Sequence, residues 1–285
     1  MTSTSPAAST SQARSQPRRS PQPEVVEPTP RPPLSWPSVI FFAAFHGLAL
    51  LAPWFFSWKA LGVAIFLHWL FGSIGICLGY HRLLAHRSFQ VPQWLEYVIT
   101  TIGALALQGG PAFWVAGHRQ HHAFTEHVNK DPYSASRGFW WSHFLWLIFP
   151  DKDCFNQEKY NKNAPDLARH AYYRWLDKNF LALQIPVGLG LYLIGGWSFV
   201  IYGVFVRAVI LWHSTWLINS ATHMTGYKSH DSGDHSGNVW WAALMTYGEG
   251  WHNNHHAYPK VAKAGWTWWE IDPTWWAINL LQKLV

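Results

Sequence analysis

The feature that most constrains this chain is a set of long apolar stretches without charge. Residues 38–58 and 60–80 contain no Asp, Glu, Lys or Arg, and only Lys59 separates them. Each run has about 20 residues, the length that a helix needs to cross a bilayer. A second apolar pair, 180–195 and 198–219, is divided at Gly195-Gly196 and carries only Arg207. The sequence therefore predicts four transmembrane helices in two hairpins.

The distribution of basic residues predicts how these hairpins are oriented. Almost all Lys and Arg residues lie in the N-terminal tail, in 81–179 and in 224–285. Because cytosolic loops of membrane proteins are enriched in Lys and Arg, we expect these three segments on the cytosolic side. The predicted fold is an all-α integral membrane protein, with four helices in the bilayer and a helical cap in the cytosol.

The N-terminal segment differs in composition from the rest of the chain. Residues 1–36 are rich in Ser, Pro and Gln and contain no sustained apolar run. Such a segment buries too little apolar surface to fold, and it lacks the apolar region of a signal peptide. We predict a disordered tail over 1–36 and one membrane domain over 37–285. The net charge is +6, but no dense basic run occurs outside the tail, so no nucleic-acid partner is expected.

Histidine is the residue type that points to chemistry. The chain has 17 His and only two Cys, and Cys77 lies within an apolar run. Three clusters stand out: His81 with His86, His118 with His121 and His122, and His252 with His255 and His256. In the last two clusters the spacing i, i+3, i+4 places all three imidazoles on one helix face. Since residues five apart lie about 140° apart around an α-helix, the first pair requires a helix that ends or loosens.

The number of imidazoles predicts two metal ions. Eight imidazoles without thiolates suit iron, zinc, copper or nickel, and they are too many for one ion. Asn219 and His223 lie one helical turn apart just after the fourth apolar run, so His223 is a candidate to join them. Ligating imidazoles usually donate their second N–H to an acceptor. Glu249, Asp131 and His143 are the predicted residues of this outer layer, and Glu126 also lies close to a cluster.

The motifs around these histidines resemble those of the membrane Δ9 fatty-acyl desaturases. The matching strings are His81-Arg82 with His86-Arg87-Ser88-Phe89, Gly138-Phe139-Trp140-Trp141-Ser142-His143, Asn219-Ser220-Ala221-Thr222-His223 and Gly248-Glu249-Gly250-Trp251-His252-Asn253-Asn254-His255-His256. The resemblance runs from about Pro37 to the C-terminus, and the last two strings are most similar to the cyanobacterial acyl-lipid branch. One departure is Tyr133, where the family usually has His after Asp-Pro.

The resemblance implies a site, a reaction and a location. Its implied metal ligands are His81, His86, His118, His121, His122, His223, His252, His255 and His256, with Asn219 acting through water. It implies two iron ions, O₂ as co-substrate, and Gln108, Trp114 and Thr215 gripping the bend of the acyl chain. It also implies a cis double bond, Δ9 in the expected case, in C16 or C18 chains. The implied location is the thylakoid or plasma membrane of a cyanobacterium-like cell, with the histidine clusters on the cytosolic side.

Two positions bear on the lipid carrier and the electron donor. The animal acyl-CoA enzymes of this family carry Arg-Asp before the cluster that begins at His118, whereas this chain has Ala116-Gly117. A CoA headgroup needs basic partners. We therefore expect acyl chains of membrane lipids as substrates, with acyl-CoA as the alternative. The chain has no flavin, haem or iron–sulfur motif, so an external donor is required; the resemblance implies ferredoxin, with cytochrome b5 as the alternative.

The residues that limit chain length are predicted from helix spacing. Trp69, Ser73 and Cys77 form an i, i+4 row that leads to His81, so Trp69 and Ser73 are predicted to face the end of the acyl tunnel.

Three other functions are considered as alternatives to a desaturase. A membrane hydroxylase or carotenoid oxygenase would share similar histidine clusters. A metal transporter would need ligands at mid-membrane, and a zinc hydrolase would need fewer imidazoles.

Overall fold

A computed structural model describes residues 30–151 and 157–284. Within these ranges the protein is all-helical, and the only β-type pairs are the isolated bridges Tyr227–Asn238 and Asn238–Trp251. Most of the tail predicted to be disordered lies outside the described residues. The predicted helical class is therefore confirmed for the part of the chain that the structure describes.

The described residues form thirteen α-helices together with π-helical and 3₁₀ segments. The α-helices are α1 Trp36–Ala49, α2 Trp58–Trp69, α3 Gln93–Ala104, α4 Pro111–Phe124, α5 Trp146–Ile148, α6 Gln157–Asn163, α7 Pro165–Ala168, α8 Ala171–Asn179, α9 Gln184–Val200, α10 Arg207–Ser220, α11 Trp240–Met245, α12 His252–Ala257 and α13 Pro273–Leu284. Three segments are π-helical: Leu70–Ala85, Trp141–Leu145 and Ile201–Val206. Short 3₁₀ turns occupy Ala52–Phe55, Ala135–Arg137 and Ala221–His223.

The first predicted hairpin has one short and one long helix. α2 continues into the π-helix Leu70–Ala85, which gives one apolar helix of 28 residues, Trp58–Ala85. α1 has 14 residues and ends at Ala49, nine residues before the predicted end at residue 58. Pro53 explains this early end, because proline has no N–H to continue the helical ladder.

The second predicted hairpin is a long apolar segment with a break. Gln184–His223 is helical over most of its length, and with Trp58–Ala85 it is one of two described helices long and apolar enough to cross a membrane. The backbone leaves the helical region at Gly195 and Gly196, where φ is −144° and +61°. The positive φ at Gly196 is a conformation that glycine adopts at little cost. The predicted interruption is thus present where the sequence places it.

The apolar surface of these helices is exposed over large areas. Leu193 and Ile194, beside the break, are 75% and 77% exposed. Exposed apolar surface on this scale marks a contact with lipid or another protein. The π-helix Leu70–Ala85, which carries His81, contacts the histidine-bearing α4 as well as α3 and α13.

Candidate metal centre

All nine predicted histidines converge in two adjacent groups. The first group contains His81, His86, His118, His122 and His255, and the second contains His121, His223, His252 and His256. Within each group, one ring nitrogen per residue lies within 4.8 Å of every other. α4 and α12 each supply both groups, because the three imidazoles of an H-x-x-H-H motif divide between them.

The π-helix explains why residues five apart can act together. The His86 N–H donates to the His81 carbonyl at 3.1 Å, which is the i to i+5 bond of a π-helix. In this geometry His81 and His86 point to one side, with ring centroids 4.7 Å apart. The loosened helix predicted from their spacing is therefore present.

The spacing of the ring nitrogens tests whether a metal fits. The Nε2 atoms of His86 and His118 are 2.8 Å apart, and the pairs His81–His255, His122–His255 and His223–His252 are 3.0–3.1 Å apart. Two nitrogens bound at about 2.1 Å lie about 3.0 Å apart when cis at 90°, but about 3.4 Å apart at a tetrahedral angle. These four pairs of ring nitrogens therefore lie at a separation that suits neighbouring ligands of one metal ion.

Four of the imidazoles contact a carboxylate through their Nδ1 atom. His121 Nδ1 contacts Asp131 at 2.9 Å and His223 Nδ1 contacts Glu126 at 2.9 Å. The remaining contacts are His81 Nδ1 to Glu249 at 2.7 Å and His256 Nδ1 to Asp234 at 2.6 Å. Because the carboxylate accepts a hydrogen bond from the Nδ1–H group, Nε2 keeps its lone pair and can bind a metal.

The protonation of the remaining imidazoles agrees with this arrangement. Burial lowers the pKa of His118, His122 and His255 well below the usual value, and neighbouring imidazoles lower it further. The pKa values of His252 and His256 are lowered by the same two causes. A neutral imidazole keeps a lone pair on one ring nitrogen, and metal binding requires this neutral form. The site is consequently built for metal ions.

Two outer contacts of the centre were not predicted from the sequence. Asp234 lies 22 residues before its partner His256, and no spacing rule connects them. Arg82 is buried beside His81, and its guanidinium contacts Glu249 and Asp272 at 3.0–3.1 Å. Burial by itself opposes ionisation of Glu249, yet Arg82 and His81 outweigh it and lower the pKa of this carboxyl. Acidic residues recur beside histidines in 226–236. This sequence pattern could have indicated that Asp234 contacts the centre.

The third residue of the predicted outer layer, His143, lies elsewhere. Its Nδ1 is 3.1 Å from Ser220 Oγ, and its Nε2 is 2.9 Å from His213 Nδ1. Both partners are on α10, and neither belongs to the two histidine groups. His143 therefore packs against α10, the helix that carries Asn219.

An apolar cavity of about 750 Å³ reaches the first histidine group. His118 forms part of its wall, together with the predicted substrate residues Gln108, Trp114 and Thr215 and with Asn219. The Gln108 amide donates to Thr215 Oγ1 at 3.1 Å and accepts from Trp114 Nε1 at 3.3 Å. The structure thus brings these three predicted residues together beside a candidate ligand.

The two predicted chain-length residues do not line this cavity. Trp69 is 41% exposed, and Ser73 is buried within the π-helix. The i, i+4 row assumed 3.6 residues per turn, but residues 70–85 follow π-helical spacing, which rotates Ser73 and Cys77 away from the expected line. A role for Trp69 and Ser73 in chain length stays a prediction.

Comparison with known proteins decides the family. The family model for fatty acid desaturase matches residues 56–279. The chain belongs to the fatty acid desaturase family. It is 66% identical over 253 residues to the sn-2 palmitoyl-lipid 9-desaturase of Nostoc sp. (strain 36), covering 89% of each chain.

More distant relatives use different carriers. The desaturase is 48% identical over 256 residues to an sn-1 stearoyl-lipid 9-desaturase of Anabaena variabilis, covering 89% of this chain and 93% of the relative. It is 44% identical over 246 residues to an acyl-CoA 5-desaturase of Anemone leveillei, covering 86% of this chain and 76% of that one. The resemblance inferred from the motifs is confirmed: this desaturase is an oxidoreductase of fatty-acyl chains, and its histidine groups make it a metal-dependent enzyme.

Proposed function

We propose that this desaturase uses two iron ions and O₂ to introduce a cis double bond at carbon 9 of C16 or C18 acyl chains in membrane glycerolipids. The observation that carries the proposal is the position of His118, which belongs to the five-histidine group and also lines the apolar cavity. An acyl chain in this cavity would lie against the metal centre.

The metal assignment rests on ligand type and on the reaction. The two groups consist of nine imidazoles, which suit iron as well as zinc, and oxidation of saturated carbon needs the redox-active metal of the two. Bound iron would activate O₂ for this oxidation, which is chemistry that no amino-acid side chain supplies. Asn219, at the cavity wall, is proposed to act on this centre through water.

The protein itself would position the chain and exclude water. Gln108 joins α4 to α10 by its hydrogen bonds to Trp114 and Thr215, so the cavity wall beside His118 is rigid. A fixed chain position determines which two methylenes lose hydrogen, since a displacement of about 1 Å changes rate or product. The overall reaction takes two hydrogens from the chain and consumes O₂, two electrons and two protons, and it releases two waters.

The carrier of the acyl chain is proposed to be a glycerolipid. Among the described residues that line the cavity, Lys159 is the one Lys or Arg side chain. An added Cβ at Gly117 would meet no atom within 4 Å, so the wall there is open and uncharged. A CoA carrier with several phosphate charges would need a denser set of cations. The names of the cyanobacterial relatives point to lipid-bound chains as well.

The membrane arrangement follows from the two apolar segments and the charge distribution. We propose four crossings within a single domain over 37–285, with the break at Gly195-Gly196 on the far side from the metal centre. The histidine groups would face the cytosol at the thylakoid or plasma membrane of a cyanobacterium-like cell. Ferredoxin is the proposed electron donor, and cytochrome b5 is the alternative.

The proposal is tested by lipid analysis after expression in a host that supplies ferredoxin. Wild-type protein should produce 9-monounsaturated C16 or C18 chains in membrane lipids, and His255→Ala should not, because His255 belongs to the five-histidine group. Identical fatty acids from both proteins would refute the proposal. A hydroxylated chain in place of an alkene would identify a hydroxylase.

A further inference from the structure

A second cavity reaches the metal centre from a different group of histidines. It has a volume of about 450 Å³, and its wall includes His223 of the four-histidine group. The acyl cavity instead touches His118 of the five-histidine group. The centre is therefore approached by two separate openings, and the acyl chain accounts for only one of them.

The second opening has both apolar and polar walls and carries basic groups at its rim. Its wall includes Glu126, Lys228 and His235, of which Lys228 is exposed and the His235 side chain is 71% exposed. His235 Nδ1 lies 3.7 Å from one oxygen of Glu126, and the other oxygen contacts His223 Nδ1 at 2.9 Å. A short series of polar groups thus leads from the surface to a candidate metal ligand.

The two loops around the opening, residues 125–140 and 224–239, separate their charges by direction. Their carboxylates Glu126, Asp131 and Asp234 point inward and contact His223, His121 and His256. Their lysines, Lys130 and Lys228, are exposed. Asp231 is an exposed acidic residue of the same loops, and its carboxylate accepts from the Gly233 N–H. Among the described residues of these two loops, the exposed charged side chains are thus Lys130, Lys228 and Asp231, which leaves a small basic excess.

We propose that this opening, defined by Glu126, His223, Lys228 and His235, is the docking and electron-entry site for an acidic one-electron carrier protein. The proposal rests on the proposed function, which requires two electrons from outside the chain for each double bond. Each carrier molecule would give up one electron and be oxidised, and metal ions held by His223 and its group would accept that electron. Complementary charge directs the encounter and sets its rate more than its final affinity.

The docking step is tested by binding, which does not depend on turnover. The affinity of oxidised ferredoxin for the purified desaturase in nanodiscs is measured by calorimetry at low and high salt. Lys228→Glu and His235→Glu each replace an exposed basic group at the rim and should weaken binding by about 10-fold at low salt. Arg169→Glu reverses an exposed charge outside the two loops and should leave the affinity within about 2-fold of wild type.

The electron-entry step is tested by comparing two reductants. The ratio of ferredoxin-driven to dithionite-driven alkene formation should fall for His235→Glu and stay constant for Arg169→Glu. Equal affinities and equal ratios for all variants would overturn the docking site. Unchanged ferredoxin binding with slower iron uptake would identify a metal entrance and would also overturn it. If wild type forms no alkene with either reductant, the proposed function fails, whereas the binding result is judged by itself.

Discussion

At the residue scale, the candidate metal ligands were predictable where a single helix carries a complete H-x-x-H-H motif. The H-x-x-H-H spacing of α4 and α12 by itself implies that three imidazoles converge from each helix. Glu249 and Asp131 were predicted as outer partners from their closeness in sequence to the clusters. Asp234 was not, because its contact with His256 arises only when the loop 226–236 folds over α12.

The first prediction concerns this carboxylate. Asp234→Asn should reduce iron affinity about 10–100-fold, since the charged acceptor orients His256 and raises its basicity. Metal content after dialysis against a graded chelator measures the effect. Asp231→Asn is the matched control, because Asp231 lies in the same loop, is exposed, and accepts a hydrogen bond from the Gly233 N–H. Equal iron retention in both variants would contradict the role given to Asp234.

The second prediction concerns the empty space beside Gly117. Gly117→Leu should place a side chain in the acyl cavity and reduce desaturation at least 10-fold, with little change in melting temperature, because a Cβ at this position meets no atom within 4 Å. Gly47→Leu is the control, since Gly47 is also helical with open space at its Cβ but lies outside the cavity. Product analysis and thermal denaturation of both variants provide the readout. Equal activity in the two variants would place the acyl chain elsewhere.

At the element scale, helix type limited what the sequence could predict. The His81–His86 spacing indicated a loosened helix, but nothing showed that the loosening extends from Leu70 to Ala85. A π-helix has more residues per turn than an α-helix, and contacts with neighbouring elements fix this geometry. Whether a segment is π-helical therefore depends on its tertiary packing. That is why the positions of the ligands were predictable and the orientation of Trp69 and Ser73 was not.

The third prediction concerns the contact between α8 and α4. Asp177 on α8 accepts from the Ala112 and Phe113 N–H groups at the start of α4, at 3.1 and 3.3 Å. Burial raises the pKa of Asp177 to about 6 from 3.8, although both N–H groups act in the opposite direction. The folded protein then binds more protons than the unfolded chain between pH 4 and 6, so stability falls as pH rises through this window.

Asp177→Asn keeps an oxygen acceptor and removes the charge. The variant should therefore melt at a higher temperature than wild type, by an amount that grows between pH 4 and 6 and is constant above pH 7. Asp166→Asn provides the opposite control. Burial opposes ionisation of Asp166, but Arg119 and Arg87 outweigh it and hold its pKa at about 2, so this carboxylate stabilises the fold above pH 4. A pH-independent difference for Asp177→Asn would contradict the assignment.

At the scale of the whole molecule, composition and charge predicted the class and the break between the last two apolar runs. They did not predict that α1 stops at Ala49, because hydropathy does not register the effect of Pro53 on the helical ladder. They also did not predict how the cap closes. Residues from the π-helix, α4, the α10 end and α12 meet in one centre, so the metal ions would join elements that span most of the chain.

The fourth prediction follows from this closure. A ligand that binds only the folded state stabilises it by about 2.7 kcal/mol at 100 times its dissociation constant. Iron removal from the purified desaturase should therefore lower the melting temperature by about 5–10 °C, at about 2–4 °C for each kcal/mol. Anaerobic addition of Fe²⁺ should restore it.

The double variant His252→Ala/His255→Ala removes a ligand from each group and should respond to neither treatment. His143→Ala, which changes a histidine outside both groups, should keep the full response. A metal-independent melting temperature in wild type would mean that the cap is held together by its protein contacts alone, with Arg82 and its two carboxylates as the next elements to remove.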